Sequence, residues 1–145
     1  MNRVITILDT NVVSEPMRPL PSPGVLAWLA DFHQRGPLFV TTITLAEILF
    51  GIELLPRGKR REQMLVQAEA TFAQDFAGRV LAFDEDAARA YPEIVIQRRA
   101  QGKPIADLDA QIAAIVRSRD ALLATRNPAD FEGCGVRLVN PWVMK

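Results

Sequence analysis

The chain has 145 residues, 49% of them hydrophobic, with 17 Lys and Arg against 17 Asp and Glu for a formal net charge of zero. That length suffices for one domain, 1–145, with a real core, and the even balance weighs against a large uniform basic surface, though not against segregated charge. No apolar run approaches the roughly 20 residues that cross a bilayer, no secretory pattern opens the chain, and one cysteine, Cys134, cannot pair internally, so a cytoplasmic protein with no membrane association is expected.

Val4 to Leu8 is a short apolar run that ends in Asp9-Thr10-Asn11. It reads as a buried strand that delivers Asp9 to the C-terminal edge of a parallel sheet. Pro16, Pro19, Pro21 and Pro23 allow one helical turn after Asn11 and then a loop. A helix resumes with Val25, Leu26, Trp28, Leu29 and Phe32 on one face, and Gly36-Pro37 ends it. Leu38 to Ile43 is a second strand. Thr44 to Glu47 opens a helix with Leu45, Ile48, Leu49 and Ile52 at helical spacing, closed by Pro56 and Gly58. The next helix has Leu65, Ala68, Phe72 and Phe76 as its stripe and stops at Gly78.

Arg79 to Phe83 is a third strand. Asp84 caps the following helix, and Pro92 within it predicts a kink or a break. After Gly102-Lys103-Pro104, Asp107 caps or opens a helix that buries Leu108, Ile112, Ile115 and Val116. Ala121 to Thr125 and Val136 to Val139 are the fourth and fifth strands. Strands alternating with helices predict an α/β fold with a central parallel sheet. In such a sheet, strand ends and the helix starts that follow them share one edge. Asp9, Glu47, Asp109 and the Asn127–Asp130 stretch are all expected there.

Clustered carboxylates repel one another unless a proton or cation intervenes. Hard divalent cations such as Mg²⁺ take oxygen ligands, usually one or two carboxylates plus water and phosphate oxygens. Such a site can polarise a phosphodiester and activate water. No other catalytic set competes. His33 is the one histidine and lies beside an apolar stripe, Cys134 has no second histidine to pair with, and no glycine-rich phosphate loop is present.

Each acid also has a structural reading. Asp9 fits a helix cap. Thr44-x-x-Glu47 fits a capping box, with Glu47 returning to the Thr44 backbone. Asp109 suits a helix N-terminus whatever its chemistry, and Asp130 suits a turn. Cys134, Trp28 and Trp142 read as packing residues. The clusters Arg57-Gly58-Lys59-Arg60-Arg61 and Arg98-Arg99 with Lys103 read either as solvated helix ends or as a local footprint for nucleic acid.

Four stretches resemble PIN-domain ribonucleases, and among them VapC-type toxins of the FitB-like branch. They are Leu8-Asp9-Thr10-Asn11-Val12-Val13-Ser14-Glu15; Thr44-Leu45-Ala46-Glu47-Ile48 with Gly51-Ile52; Asp109-Ala110-Gln111-Ile112-Ala113-Ala114; and Leu123 to Gly135, ending near Val139-Asn140-Pro141-Trp142. The resemblance spans essentially the whole chain. It implies a three-layer α/β/α domain and an endoribonuclease dependent on Mg²⁺ or Mn²⁺, leaving 5′-phosphate and 3′-hydroxyl ends. It further implies Asp9 and Asp109 as metal ligands and Glu47 as a ligand or a holder of metal-bound water. Thr10, Asn11 and Thr125 would orient the carboxylates. Many relatives carry an acid where this chain has Asn127, so the fourth position falls on Asn127 or on Asp130. The pattern selects Asp109 over Asp107, and the two lie about 200° apart on a helix. A cognate antitoxin and a homodimer are also implied, with exposed apolar residues between Thr44 and Phe76 as the antitoxin's docking surface.

The competing class is a non-catalytic interaction module whose acidic pocket docks a basic partner peptide. Mg²⁺ binding separates the two. A phosphatase with Asp9 as nucleophile is disfavoured, because such enzymes carry a second acid where Asn11 stands.

Overall fold

The computed structural model describes residues 4–143, without the side chains of residues 32–35. The expected roles of Phe32 and His33 therefore lie outside the described residues. Five parallel strands form one sheet in the order β3-β2-β1-β4-β5. They are β1 (Thr6–Leu8), β2 (Leu38–Thr41), β3 (Val80–Leu81), β4 (Leu122–Ala124) and β5 (Arg137–Val139). The helices are α1 (Thr10–Ser14), α2 (Pro23–Arg35), α3 (Thr42–Glu53), α4 (Lys59–Ala70), α5 (Glu85–Ala100) and α6 (Asp107–Ser118).

Side chains alternate across β1, and the two core clusters follow from that alternation. Ile7 joins Ile94, Ile112, Val116, Leu123 and Phe131 under α5 and α6. Leu8 joins Val12, Trp28, Val40, Ile48 and Phe72 under α1 to α4. The result is the expected three-layer α/β/α arrangement, with helices on both faces of the sheet. Cys134 is buried in the first cluster and Trp28 in the second, both as packing residues.

Local details depart from the sequence reading. α3 begins at Thr42 because the Thr41 hydroxyl caps it, accepting from the Thr44 amide at 3.1 Å. Glu47 therefore sits in the second turn and forms no capping box. Asp107 is the first helical residue of α6 rather than its cap, which is Ala106. Asp84 does cap α5, accepting from the Ala87 amide at 3.0 Å, and α5 runs unbroken through Pro92. Leu108 is exposed, since the opening turn of α6 extends past the layer that buries Ile112 onward. Leu26 and Leu65 are exposed as well, at the margins of their stripes. After α4 a π turn (Thr71–Asp75), closed by the Phe76 amide on the Thr71 carbonyl at 3.0 Å, shifts the helical register.

Candidate active site

The chain leaves β1 for β2 and β3 on one side, then returns to β4 and β5 on the other. The C-terminal edge between β1 and β4 is thus the topological switch point, where open α/β sheets bind ligands. Asp9 is the first residue after β1 and Thr125 the first after β4. The Asp9 amide donates to the Ala124 carbonyl at 2.8 Å. One carboxylate oxygen of Asp9 accepts from the Thr10 amide and the other from the Thr125 hydroxyl, both at 2.8 Å. Asp9 is 7% exposed and also caps α1, so the capping and site readings of this residue coexist. Burial pushes its carboxyl up, against the lowering effect of these hydrogen bonds, and the charges of Glu47 and Asp130 push the same way as burial.

Glu47 reaches the site through Thr10. The Thr10 hydroxyl donates to the Glu47 carboxylate at 2.8 Å and lies 3.0 Å from the Thr44 hydroxyl. Thr44 was missed as a site residue. Its signal is the spacing Thr44-x-x-Glu47, which places both on one face of α3.

Asp109 is the third residue of α6 and half-buried. Its carboxyl is pushed up to about 6, first by burial and then by the charges of Asp9, Asp130 and Glu47. Four acids from four segments therefore act in one field. Asp130 stands exposed on a 3₁₀ turn (Pro128–Phe131). Asp107 is exposed. The Asn127 amide donates to the Thr125 hydroxyl at 3.1 Å, while its side chain is exposed. Asn11 is exposed, and among the described residues no hydrogen bond joins its side chain to the acids.

The family model for the PIN domain matches residues 6–132. The chain belongs to the PIN-domain family. It is 40% identical to the VapC ribonuclease Y4jK of Sinorhizobium fredii, over 94% of this chain and 96% of that protein. It is 39% identical to toxin FitB of Neisseria gonorrhoeae, over 94% and 97%. The solved structure of FitAB bound to an IR36 DNA fragment superposes with a TM-score of 0.89 at 37% identity, covering 97% of each chain.

In this PIN domain, Arg98 holds the fourth acid's turn in place. It is 5% exposed, and donates to the carbonyls of Lys103 at 2.6 Å and of Asp130 and Glu132 at 2.8 Å each. This corrects its expected role as an RNA guide: a guanidinium buried in the fold, with Nε and Nη1 donating to carbonyls, is not presented to phosphate in solvent. Arg99 and Lys103 remain exposed. Of the other cluster, Arg57, Lys59 and Arg60 are exposed, while Arg61 is half-buried and paired with Glu53. Glu15, also missed, is 2% exposed and anchors the loop before α2. It accepts from the Ser22 amide at 2.7 Å and from Arg18 at 3.1 Å, contacts that hold its carboxyl below the usual range.

Among the described residues, no three acidic, histidine or cysteine side chains converge tightly enough to form a ready metal cage. A Mg²⁺ site does not require one, since one or two carboxylates with water suffice. All the available donors are oxygens, and the mutual repulsion that raises Asp109 is what a cation would relieve. The residues fit a hard divalent cation. No helix among the described residues is long and apolar enough to cross a membrane.

Proposed function

We propose that this PIN domain is a metal-dependent endoribonuclease and the toxin of a toxin–antitoxin pair. The observation that carries the reading is the hydrogen-bonded group of Thr125, Asp9, Thr10 and Glu47 at the switch point of the sheet, with Asp109 and Asp130 as the neighbouring acids. The relatives named as VapC ribonuclease and as toxin support the same activity. Asp9 and Asp109 would hold Mg²⁺ or Mn²⁺. The bound ion supplies Lewis-acid polarisation of the phosphodiester and a lowered pKa for its water. Thr10 and Thr125 fix both oxygens of Asp9, so its remaining lone pairs keep one direction. Glu47, tethered by Thr10, is placed to accept a hydrogen bond from water rather than to move freely. Asp130 adds negative charge at the open side.

The proposed partners are an RNA substrate, a cognate antitoxin and a second copy of the chain, acting in the cytoplasm. Phe50, Leu54, Leu65 and Val66, exposed on α3 and α4, offer an apolar face for the antitoxin. An antitoxin complex that leaves this face in solvent would refute that placement.

The deciding experiment is incubation of a mixed RNA pool with purified protein, in Mg²⁺ and in EDTA, beside Asp9→Asn purified identically. Cutting that needs both metal and Asp9 supports the reading. The second reading, a docking module for a basic peptide, is favoured by the lack of a ready three-ligand cage among the described residues. Calorimetry separates the two, since a module that only docks peptide need not bind Mg²⁺.

A further inference from the structure

Gly51 stands inside α3, one helical turn beyond Glu47. Its φ is not positive, and a Cβ built on it would meet nothing within 4 Å. Neither a turn nor a close approach within the fold requires glycine there. In a helix interior, glycine is the weakest choice after proline. The residue costs stability and gives the folded chain nothing in return, so the space above it is the feature to explain.

That space belongs to a cleft of about 430 Å³ that reaches one of the acids, Glu47. Thr10 and Glu47 form its inner end. Ile48, Ile52, Leu55 and Met64 make apolar walls, with Met17 and Pro19 opposite. Arg18 and Arg60, both exposed, complete the lining. Arg18 gives Nη1 to Glu15, and among the described residues no ion pair holds Arg60. An apolar slot that holds one carboxylate, Glu47, and carries two cations complements a nucleotide, whose flat base is flanked by phosphates. An apolar peptide side chain would fill the walls and leave both guanidinium groups unanswered. Proteins that read RNA sequence take up unstacked bases in this manner.

We infer that the cleft over Gly51 receives an unstacked base next to the scissile phosphate, with Arg18 and Arg60 on the neighbouring phosphates, and that Gly51 leaves room for that base. The inference rests on the ribonuclease reading and names the part of the site that selects sequence.

The test uses Asp9→Asn, which the ribonuclease reading expects not to cut, and a labelled single-stranded RNA carrying the mapped cleavage site. One abasic residue is walked through the positions on either side. One position is expected to weaken binding about tenfold. Gly51→Leu, added to Asp9→Asn, is expected to weaken intact RNA by a similar factor and to have no further effect on that one abasic RNA. Gly51→Leu alone is expected to melt at or above the parent temperature and to bind Mn²⁺ as the parent does. If it does not fold, Gly51→Ala replaces it, with a smaller loss of the same pattern. A flat abasic scan, or a Gly51 penalty equal on every RNA, overturns the inference. So does a Gly51→Leu chain that binds RNA normally but loses a protein partner, which would assign the cleft to protein. A parent chain that cuts no RNA in Mg²⁺ or Mn²⁺ brings down the ribonuclease reading first, before any Gly51 variant is made, and this inference with it.

Discussion

The Thr125 hydroxyl donates to the Asp9 carboxylate at 2.8 Å although the two residues are 116 positions apart. The same hydroxyl oxygen accepts from the Asn127 amide at 3.1 Å, so its proton is committed to Asp9. Adjacent parallel strands make the meeting possible, since Leu8 pairs with Ala124. Thr125→Val keeps the shape and removes the donor. It is expected to cost about 1–3 kcal/mol in urea unfolding, because a buried charged acceptor loses its partner. Mn²⁺ affinity measured by calorimetry should fall by about 10–100-fold, as for other residues that orient metal ligands.

Asp109 makes stability depend on pH. Its carboxyl is pushed up to about 6 in the fold from an ordinary 3.8. Between those values the folded chain holds a proton that the unfolded chain has released. Without metal, stability is therefore expected to fall as pH rises from about 4 to about 6, and to level off above. Asp109→Asn should flatten that slope and melt higher at pH 7. The gain is on the order of 1 kcal/mol, because the half-exposed group is screened by solvent. Thermal melts from pH 4 to 8 in EDTA measure both. A variant that melts lower at pH 7 would show that the acid is structural.

Arg98 binds three carbonyls, and truncation leaves all three without a donor. The carbonyls belong to exposed residues that water can partly reach, so Arg98→Met is expected to lose about 1–3 kcal/mol in all. Arg98→Lys should retain part of that. Arg99→Ala, next to it and exposed, should stay within about 0.5 kcal/mol. Urea unfolding of the three variants separates a buried tie from surface charge.

The sequence and the structure agree best where the signal was strong. Val4 to Leu8 ends in an acid, and the strand does place Asp9 at the sheet edge. Alternating strands and helices were enough to set the three layers. What stayed illegible depends on contacts across the fold. Nothing near Arg98 in sequence says that Asp130 and Glu132 will turn their carbonyls toward it, so it read like its exposed neighbour Arg99. Glu47 carried a competing reading as a cap because Thr44 precedes it by three, whereas a hydroxyl at Thr41 starts the helix earlier. Leu65 and Leu108 fit helical periodicity, yet periodicity does not say how far the covering layer extends.

The basic segment from Arg57 to Arg61 should divide in the same way. Arg57→Ala and Lys59→Ala, at exposed positions, are expected to lower the salt dependence of RNA binding by about one unit each in log K against log salt. Arg61→Ala, which breaks the pair with Glu53, should change it less. Anisotropy titrations across a salt series, in the Asp9→Asn background, measure the slopes.

The strand order has a bearing on synthesis. β1 lies in the middle of the sheet, between β2 and β4. Asp9 is made well before its partners Ala124 and Thr125 and the turn of Asp130. A nascent chain, or a fragment from a truncated message, carries Asp9 without the surroundings that set its geometry. The acids come together only after the segment through Asp130 has been made, so products that stop short of it lack that arrangement.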